Sequence, residues 1–488
     1  MLFQSSKLKK FKELKIKMEN QNTLRQKFGL VTAICLVVGA VIGSGIFFLN
    51  ETIFGAVGGN LFLAVMAWVI GGAIMFVMMW NWGQLAKRYE GMNGLMDYSD
   101  QLVGRRYSYF MSWFLGTILY PSFVAVLAWV SARFSATLFG WDDPNTGGTT
   151  WMLAGVFLVF MYVMNAIAPR LAGRFQVSTT IIKVVPLILM AVVGLIFGLV
   201  NGVTADNIGT AAPNVVTRSP FYVAILATVF AYAGSEEVLM MNKEIRNSRR
   251  NLPRAIIIGS LIIIAIYVTY TIGIFGATDI GTLASPSGVR NGFANVFGNA
   301  MGSILLVFVI ISCLGAMNSA MMAGTRTFYS IAERNMGPAP SVVGQVDPKT
   351  NMPPTSAAMH LLCSGIILFI VFANASGWFA GITAGLGIPI TSLMPITLMA
   401  FYIPIFISII IRCHDWHWFN RFVMPVLSII GAGALIYMTF DTNWRGALWY
   451  MLFFSTSMGI AVLFMVNWRR FRRGQSQDIA TETEVIEN

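Results

Sequence analysis

Charge is what this 488-residue sequence has least of. Asp, Glu, Lys and Arg make up 11% of it, against about 25% in ordinary soluble domains. With 56% hydrophobic residues the composition excludes a string of soluble domains and implies one polytopic membrane bundle. Cysteine is scarce too. Cys35, Cys313, Cys363 and Cys413 all fall in or at the ends of apolar runs, so no pair is available for a disulfide in an outer loop. Histidine is limited to His360, His414 and His417, and no metal-ligand spacing appears among them. Neither a metal nor a cofactor is expected. No nucleophile–base pair stands out either, so the chain does not read as an enzyme.

Long apolar runs are abundant. Twelve can be counted, at 29–49, 61–83, 109–132, 150–169, 176–200, 219–241, 255–278, 297–324, 355–374, 384–411, 420–440 and 447–467. Most reach the roughly 20 residues a spanning helix requires. The net charge of +12 invites a nucleic-acid reading, but the placement of the basic residues excludes it. Apart from Arg133, Lys183, Arg218, Arg290 and Arg445, they all sit in the two tails and in alternate loops. That is the positive-inside asymmetry. It predicts a multi-pass plasma-membrane protein, in a bacterial inner or cytoplasmic membrane, with both termini cytoplasmic. The partner it implies is the lipid bilayer. The stretch Lys7–Lys17 alternates basic and apolar residues, suiting it to anionic headgroups. Met18 is as good a start codon position as Met1, and no signal-peptide pattern follows. After Arg473 the chain is polar and acidic, which predicts a disordered tail.

Two apolar runs carry interruptions. In the first, Gly39-Ala40-Val41-Ile42-Gly43-Ser44-Gly45-Ile46-Phe47 places glycines where each costs a helix about 1 kcal/mol relative to alanine. Two readings fit: small residues for close helix packing, or a deliberate break near Gly43–Gly45. A break leaves N–H groups at the start of the outer half-helix and C=O groups at the end of the inner half, reinforced by the helix dipoles. Unpaired main-chain groups persist at membrane depth only where they line a cavity. A zwitterion of the α-amino acid type matches that polarity. In the sixth run, Phe230-Ala231-Tyr232-Ala233-Gly234-Ser235-Glu236-Glu237 brings a glycine and two carboxylates into apolar surroundings, where charge is costly and marks function. The two interruptions lie five spans apart, the spacing of an inverted repeat with its binding site at midplane.

These motifs resemble those of the amino acid–polyamine–organocation superfamily of transporters, within it the L-type and bacterial serine/threonine-exchanger branch. Further blocks carry the resemblance: Phe175-Gln176 through Lys183, then Glu244-Ile245-Arg246-Asn247 and Arg250-Asn251-Leu252-Pro253-Arg254-Ala255. The last is Gly315-Ala316-Met317-Asn318 with Thr325-Arg326 and Ala332-Glu333-Arg334. The resemblance implies an all-α, LeuT-like fold of twelve transmembrane helices, in which helices one and six unwind at the centre of a 5+5 inverted repeat. Its parts would be a basic cytoplasmic tail (1–28), repeats at 29–200 and 219–411, two peripheral helices (420–467) and a second tail (468–488). It further implies that N–H groups around Ser44, Gly45 and Ile46 hold a substrate carboxylate. Carbonyls near Val41, Ile42, Phe230 and Ala231 would meet the amino group, with Gly43, Gly234 and Ser235 completing the break. Lys183 stands where sodium-driven relatives hold an ion, and Glu236 where relatives carry an acid. Tyr120 and Asn318 are gate or pocket candidates. Departures from the family pattern are the small Ser235 in place of a bulky aromatic, the doubled acid Glu236–Glu237, and Gln84 in place of the second-span acid. Relatives that take a disulfide-linked helper use a cysteine after the third span; Leu138–Pro144 has none, so no such partner is expected. The implied function is sodium-independent transport of small or neutral L-amino acids by exchange or proton coupling. An amino-acid/amine antiporter and a non-transporting sensor are the alternatives.

Overall fold

A computed structural model describes residues 29–43, 45–89, 94–211, 218–234, 239, 245–285, 288–347, 349–350, 352–379, 381 and 390–487. Within these the chain is helical throughout and forms no β-strand. Its principal helices are α1 (Leu30–Val41), α2 (Gly45–Ala56), α3 (Leu61–Arg88), α4 (Arg105–Phe139), α5 (Gly148–Ile167) and α6 (169–200). There follow α7 (Arg218–Tyr232), α8 (Ser248–Phe275), α9 (Asn299–Glu333), α10 (Pro354–Ala375), α11 (Ile390–Arg412) and α12 (Met424–Glu487). Among the described residues, nine helical segments are long and apolar enough to cross a bilayer, or ten when the bent pair α1–α2 counts as one.

The expected count of twelve is therefore not reached by these criteria, and the reasons are local. The apolar part of α7, Pro220–Tyr232, is too short to qualify, and the residues that would extend the sixth run fall outside the described set. The last two runs join in one stretch, Phe419–Met465, inside which only Asn443 leaves helical geometry (φ −151°, ψ 67°). Past the last run the helix continues to Glu487, where composition predicted disorder.

Packing relies on small residues, as it must where lipid removes the hydrophobic drive between helices. A β-carbon on Gly259 of α8 would lie 2.7 Å from Val37 of α1, and one on Gly71 of α3 would lie 2.0 Å from Thr228 of α7. Polar side chains supplement this from within the bundle. Asn50 of α2 accepts from Trp68 of α3 (3.2 Å) and Thr271 of α8 (3.1 Å). On the face bearing the basic loops, Arg334 pairs with Asp97 at 2.5 Å and Arg88 with Asp415 at 2.6 Å. Asp415, in the loop after α11, has its carboxyl held below the ordinary aspartate value by its hydrogen bond from Arg88.

Candidate functional site

The first interruption is a break and not a packing motif alone. α1 ends at Val41, Ile42 turns extended with ψ 91°, and α2 restarts at Gly45 with its axis bent by 49°. The first N–H groups of α2 therefore lack intrahelical acceptors, as at any helix start. In the sixth run α7 ends at Tyr232, and Gly234 follows at φ +101°. That left-handed conformation strains any residue with a β-carbon. The two breaks approach closely: a β-carbon on Gly45 would lie 3.1 Å from the Ala231 Cα. Both readings of the first-run glycines thus hold at once, since the break and the close approach use the same residue.

A cavity of about 50 Å³ lies where they meet, walled by Val41, Gly43, Gly45, Phe230, Ala231 and Gly234. Lys183, Phe123 and Ala316 complete much of the rest. That volume is on the scale of one or two waters. An aromatic lid borders the site: Phe230 meets Phe48 of α2 at 5.8 Å and Phe123 of α4 at 5.1 Å between ring centroids. Larger cavities exist, of about 330 Å³ between α11 and α12 and about 280 Å³ beside Trp449. Apolar side chains wall them and neither break reaches them, so they lack the main-chain polarity a zwitterion needs.

Lys183 is 2% exposed. A charge at this depth costs about 2.5–3.5 kcal/mol even on the mild insertion scale, and such groups take a partner. Its Nζ donates to the Gly39 carbonyl, one of the last-turn acceptors of α1, at 2.5 Å. One turn earlier in α6, Thr179 lies so close to Gly315 of α9 that a β-carbon there would meet its Oγ1 at 2.4 Å. The ammonium therefore sits in the seam between α1, α6 and α9.

The other expected residues divide. Val41, Gly43, Gly45, Phe230, Ala231 and Gly234 wall the cavity. Ile42 and Ile46 are fully buried but are not in its wall. Tyr120 is buried one turn away from it, while Phe123 and Leu127 of the same helix line it. Asn318 also faces elsewhere: it accepts from Asn165 of α5 at 2.7 Å and donates to the Ala172 carbonyl at 3.4 Å. Its neighbours Ala316, Ser319 and Ala320 take the wall positions. Ser44, Ser235, Glu236 and Glu237 fall outside the described residues.

Tyr267 of α8 was not singled out in the sequence. Its hydroxyl reaches the Val41 carbonyl at 3.1 Å and the Ala231 carbonyl at 3.0 Å, and the Gly43 N–H donates to its oxygen. One phenol thus bridges both breaks and engages two carbonyls expected to meet a substrate amine. The available signal was a tyrosine in the midst of a Leu/Ile/Val-rich span. A second buried polar group, His360 of α10, hydrogen-bonds Tyr162 of α5, whose hydroxyl also meets Ser364 at 3.1 Å.

Known proteins resemble this chain in sequence and in fold. The serine/threonine exchanger SteT of Bacillus subtilis (strain 168) is 28% identical over 352 residues, covering 72% of this chain and 78% of that protein. The rabbit (Oryctolagus cuniculus) large neutral amino acids transporter small subunit 2 is 26% identical over 359 residues, 72% of this chain and 65% of its own. The rabbit b(0,+)-type amino acid transporter 1 is 26% identical over 341 residues, covering 66% and 68%. In fold, the chain matches a crystal structure of MhsT in complex with L-phenylalanine. The TM-score is 0.55 at 13% identity, over 84% of this chain and 98% of that one. The profile of the amino acid permease family matches residues 28–470, and the chain belongs to that family.

Proposed function

We propose that this protein moves small or neutral L-amino acids across the membrane by alternating access, without sodium. The observation that carries the reading is the meeting of two broken helices around one small cavity. At that point N–H groups of α2 and carbonyls of α1 and α7 present opposite polarity a few ångströms apart. The substrate carboxylate takes the N–H groups around Ser44, Gly45 and Ile46. The ammonium takes carbonyls of Val41, Ile42, Phe230 or Ala231, in competition with the Tyr267 hydroxyl. Gly43, Gly234 and Ser235 complete the substrate-binding set. Lys183 supplies a fixed cation where a sodium ion would otherwise neutralise bare carbonyls, and its bond to Gly39 supports this. Glu236 is the proposed coupling acid. Tyr120 shapes the pocket through its helix, and Asn318 fixes the α5–α9 seam.

The basic face is cytoplasmic and carries both termini, in a bacterial cytoplasmic membrane. Residues 29–200 and 219–411 are the inverted repeats, flanked by the peripheral helices of 420–467 and by tails at 1–28 and 468–488. No covalently attached helper chain is required, since the 138–144 loop contains no cysteine.

Uptake of labelled amino acids into proteoliposomes tests the reading. Acceleration by unlabelled amino acid on the far side supports exchange. Decarboxylated amines should compete poorly, because they lack the group the α2 N–H groups hold. Strong competition by amines would indicate an amine substrate, and binding without flux would indicate a sensor.

A further inference from the structure

Beyond the site, one charged contact joins the outer half-helix to the rest of the bundle. Arg133 of α4 donates through Nη2 to the Glu51 carboxylate of α2 at 2.6 Å. By the 1.5 Å rise of a helix, Glu51 stands about 9 Å above Gly45 and Arg133 about 15 Å above Phe123. The pair thus caps the aromatic lid of Phe48, Phe123 and Phe230, on the face opposite the basic loops. Among the described residues it is the sole ion pair that involves α2.

Its two partners are unequal. The Arg133 side chain is 6% exposed and that of Glu51 is 23% exposed. The guanidinium lies 5.8 Å from the ring centroids of both Trp129 and Phe134. Trp129 in turn stacks on Trp151 of α5 at 5.9 Å and donates to the Asn145 carbonyl at 3.3 Å. Arg133 is therefore fixed in the α4–α5 scaffold. Breaking a buried pair is costly when the buried partner stays behind, but a part-exposed carboxylate regains water as it leaves. Motion thus belongs to Glu51 and the half-helix that bears it. Among the described residues the Arg133 Nε has no hydrogen-bond partner, and the contact to Glu51 runs through Nη2 alone, short of the bidentate pairing that Arg and carboxylate frequently form.

We propose that Glu51–Arg133 is the latch that holds α2 against α4 when the site is closed to this face, and that its release precedes opening. This rests on the transport reading of α2 as a moving half-helix. The test reads closure and not flux, so the two can fail separately. In purified protein in detergent, Phe48→Cys introduces a thiol under the latch, and mass spectrometry of the peptide carrying it follows its modification by a hydrophilic maleimide. Glu51→Gln and Arg133→Gln should each speed labelling severalfold. Arg133→Lys, which keeps the charge, should label at close to the parent rate, as should the exchanged pair Glu51→Arg with Arg133→Glu. Melting temperature, measured alongside, separates a loss of fold from a loss of closure. Unchanged labelling in both neutral variants would overturn the latch. Equal acceleration in Arg133→Lys and Arg133→Gln would do so as well, because packing and not charge would then hold the half-helix.

Discussion

Removing the Lys183 ammonium leaves the Gly39 carbonyl short of its donor in a buried seam, and a buried unsatisfied group costs about 1–3 kcal/mol. Lys183→Ala is therefore expected to lower the melting temperature in detergent yet to elute as a monodisperse species. Wild-type melting would show that the bond to Gly39 carries no weight. Tyr267→Phe removes the hydroxyl shared by Val41, Ala231 and Gly43 with little change of shape. Freed of a competitor, the two carbonyls can serve a substrate amine, but the breaks lose their bridge. The expected outcome is an altered KM with a smaller change in maximal rate. A KM equal to that of the parent would remove Tyr267 from the site. Lys183 was named through the family resemblance, and it is buried in the cavity wall. Tyr267 was not named, since a tyrosine in an apolar span reads equally well as core, and its role depends on two carbonyls from distant helices.

The breaks belong to the scale of the element. Composition marked both, through Gly39, Gly43 and Gly45 in the first run and Gly234 in the sixth, because no helix uses such residues without cause. The 3.1 Å approach of a Gly45 β-carbon to Ala231 depends on tertiary structure, and no pattern in either run reveals it. Gly45→Val is predicted to abolish amino-acid binding, since a branched side chain would part α2 from α7 and cover the N–H groups. Gly45→Ala should weaken binding less, because a methyl group needs a shift of only a few tenths of an ångström. If Gly45→Val binds amino acids as tightly as the parent, the site lies elsewhere. Apolar length was a good guide to α3, α5 and α10, whose bounds follow the predicted runs within a few residues. At 420–467 it gave two runs parted at 441–446, and inside that gap Asn443 leaves helical geometry and accepts from the Gly446 N–H at 2.9 Å. Tyr120 and Asn318 lie on helices that line the cavity but not in its wall: Tyr120 is one turn from Phe123, and Asn318 is one position from Ser319.

At the scale of the whole molecule, the chain combines a small site with an uneven distribution of charged and aromatic contacts around it. The aromatic lid and the Glu51–Arg133 pair seal one side, whereas Lys183 and the α9 residues Ala316, Ser319 and Ala320 form the wall toward the basic face. On the proposed reading, alternating access moves α2 and α7 against a scaffold that includes α4, α5 and α9, and Lys183 takes the place of a bound sodium at the first break. That is the central claim, and counterflow in sealed proteoliposomes tests it most directly. Liposomes loaded with unlabelled amino acid, in choline buffer free of sodium, should accumulate labelled amino acid at the same rate as in sodium buffer. Lys183→Ala, folded and reconstituted to the same density, should lose most of that flux. Flux that requires sodium in the parent, or that persists undiminished in Lys183→Ala, would contradict the account.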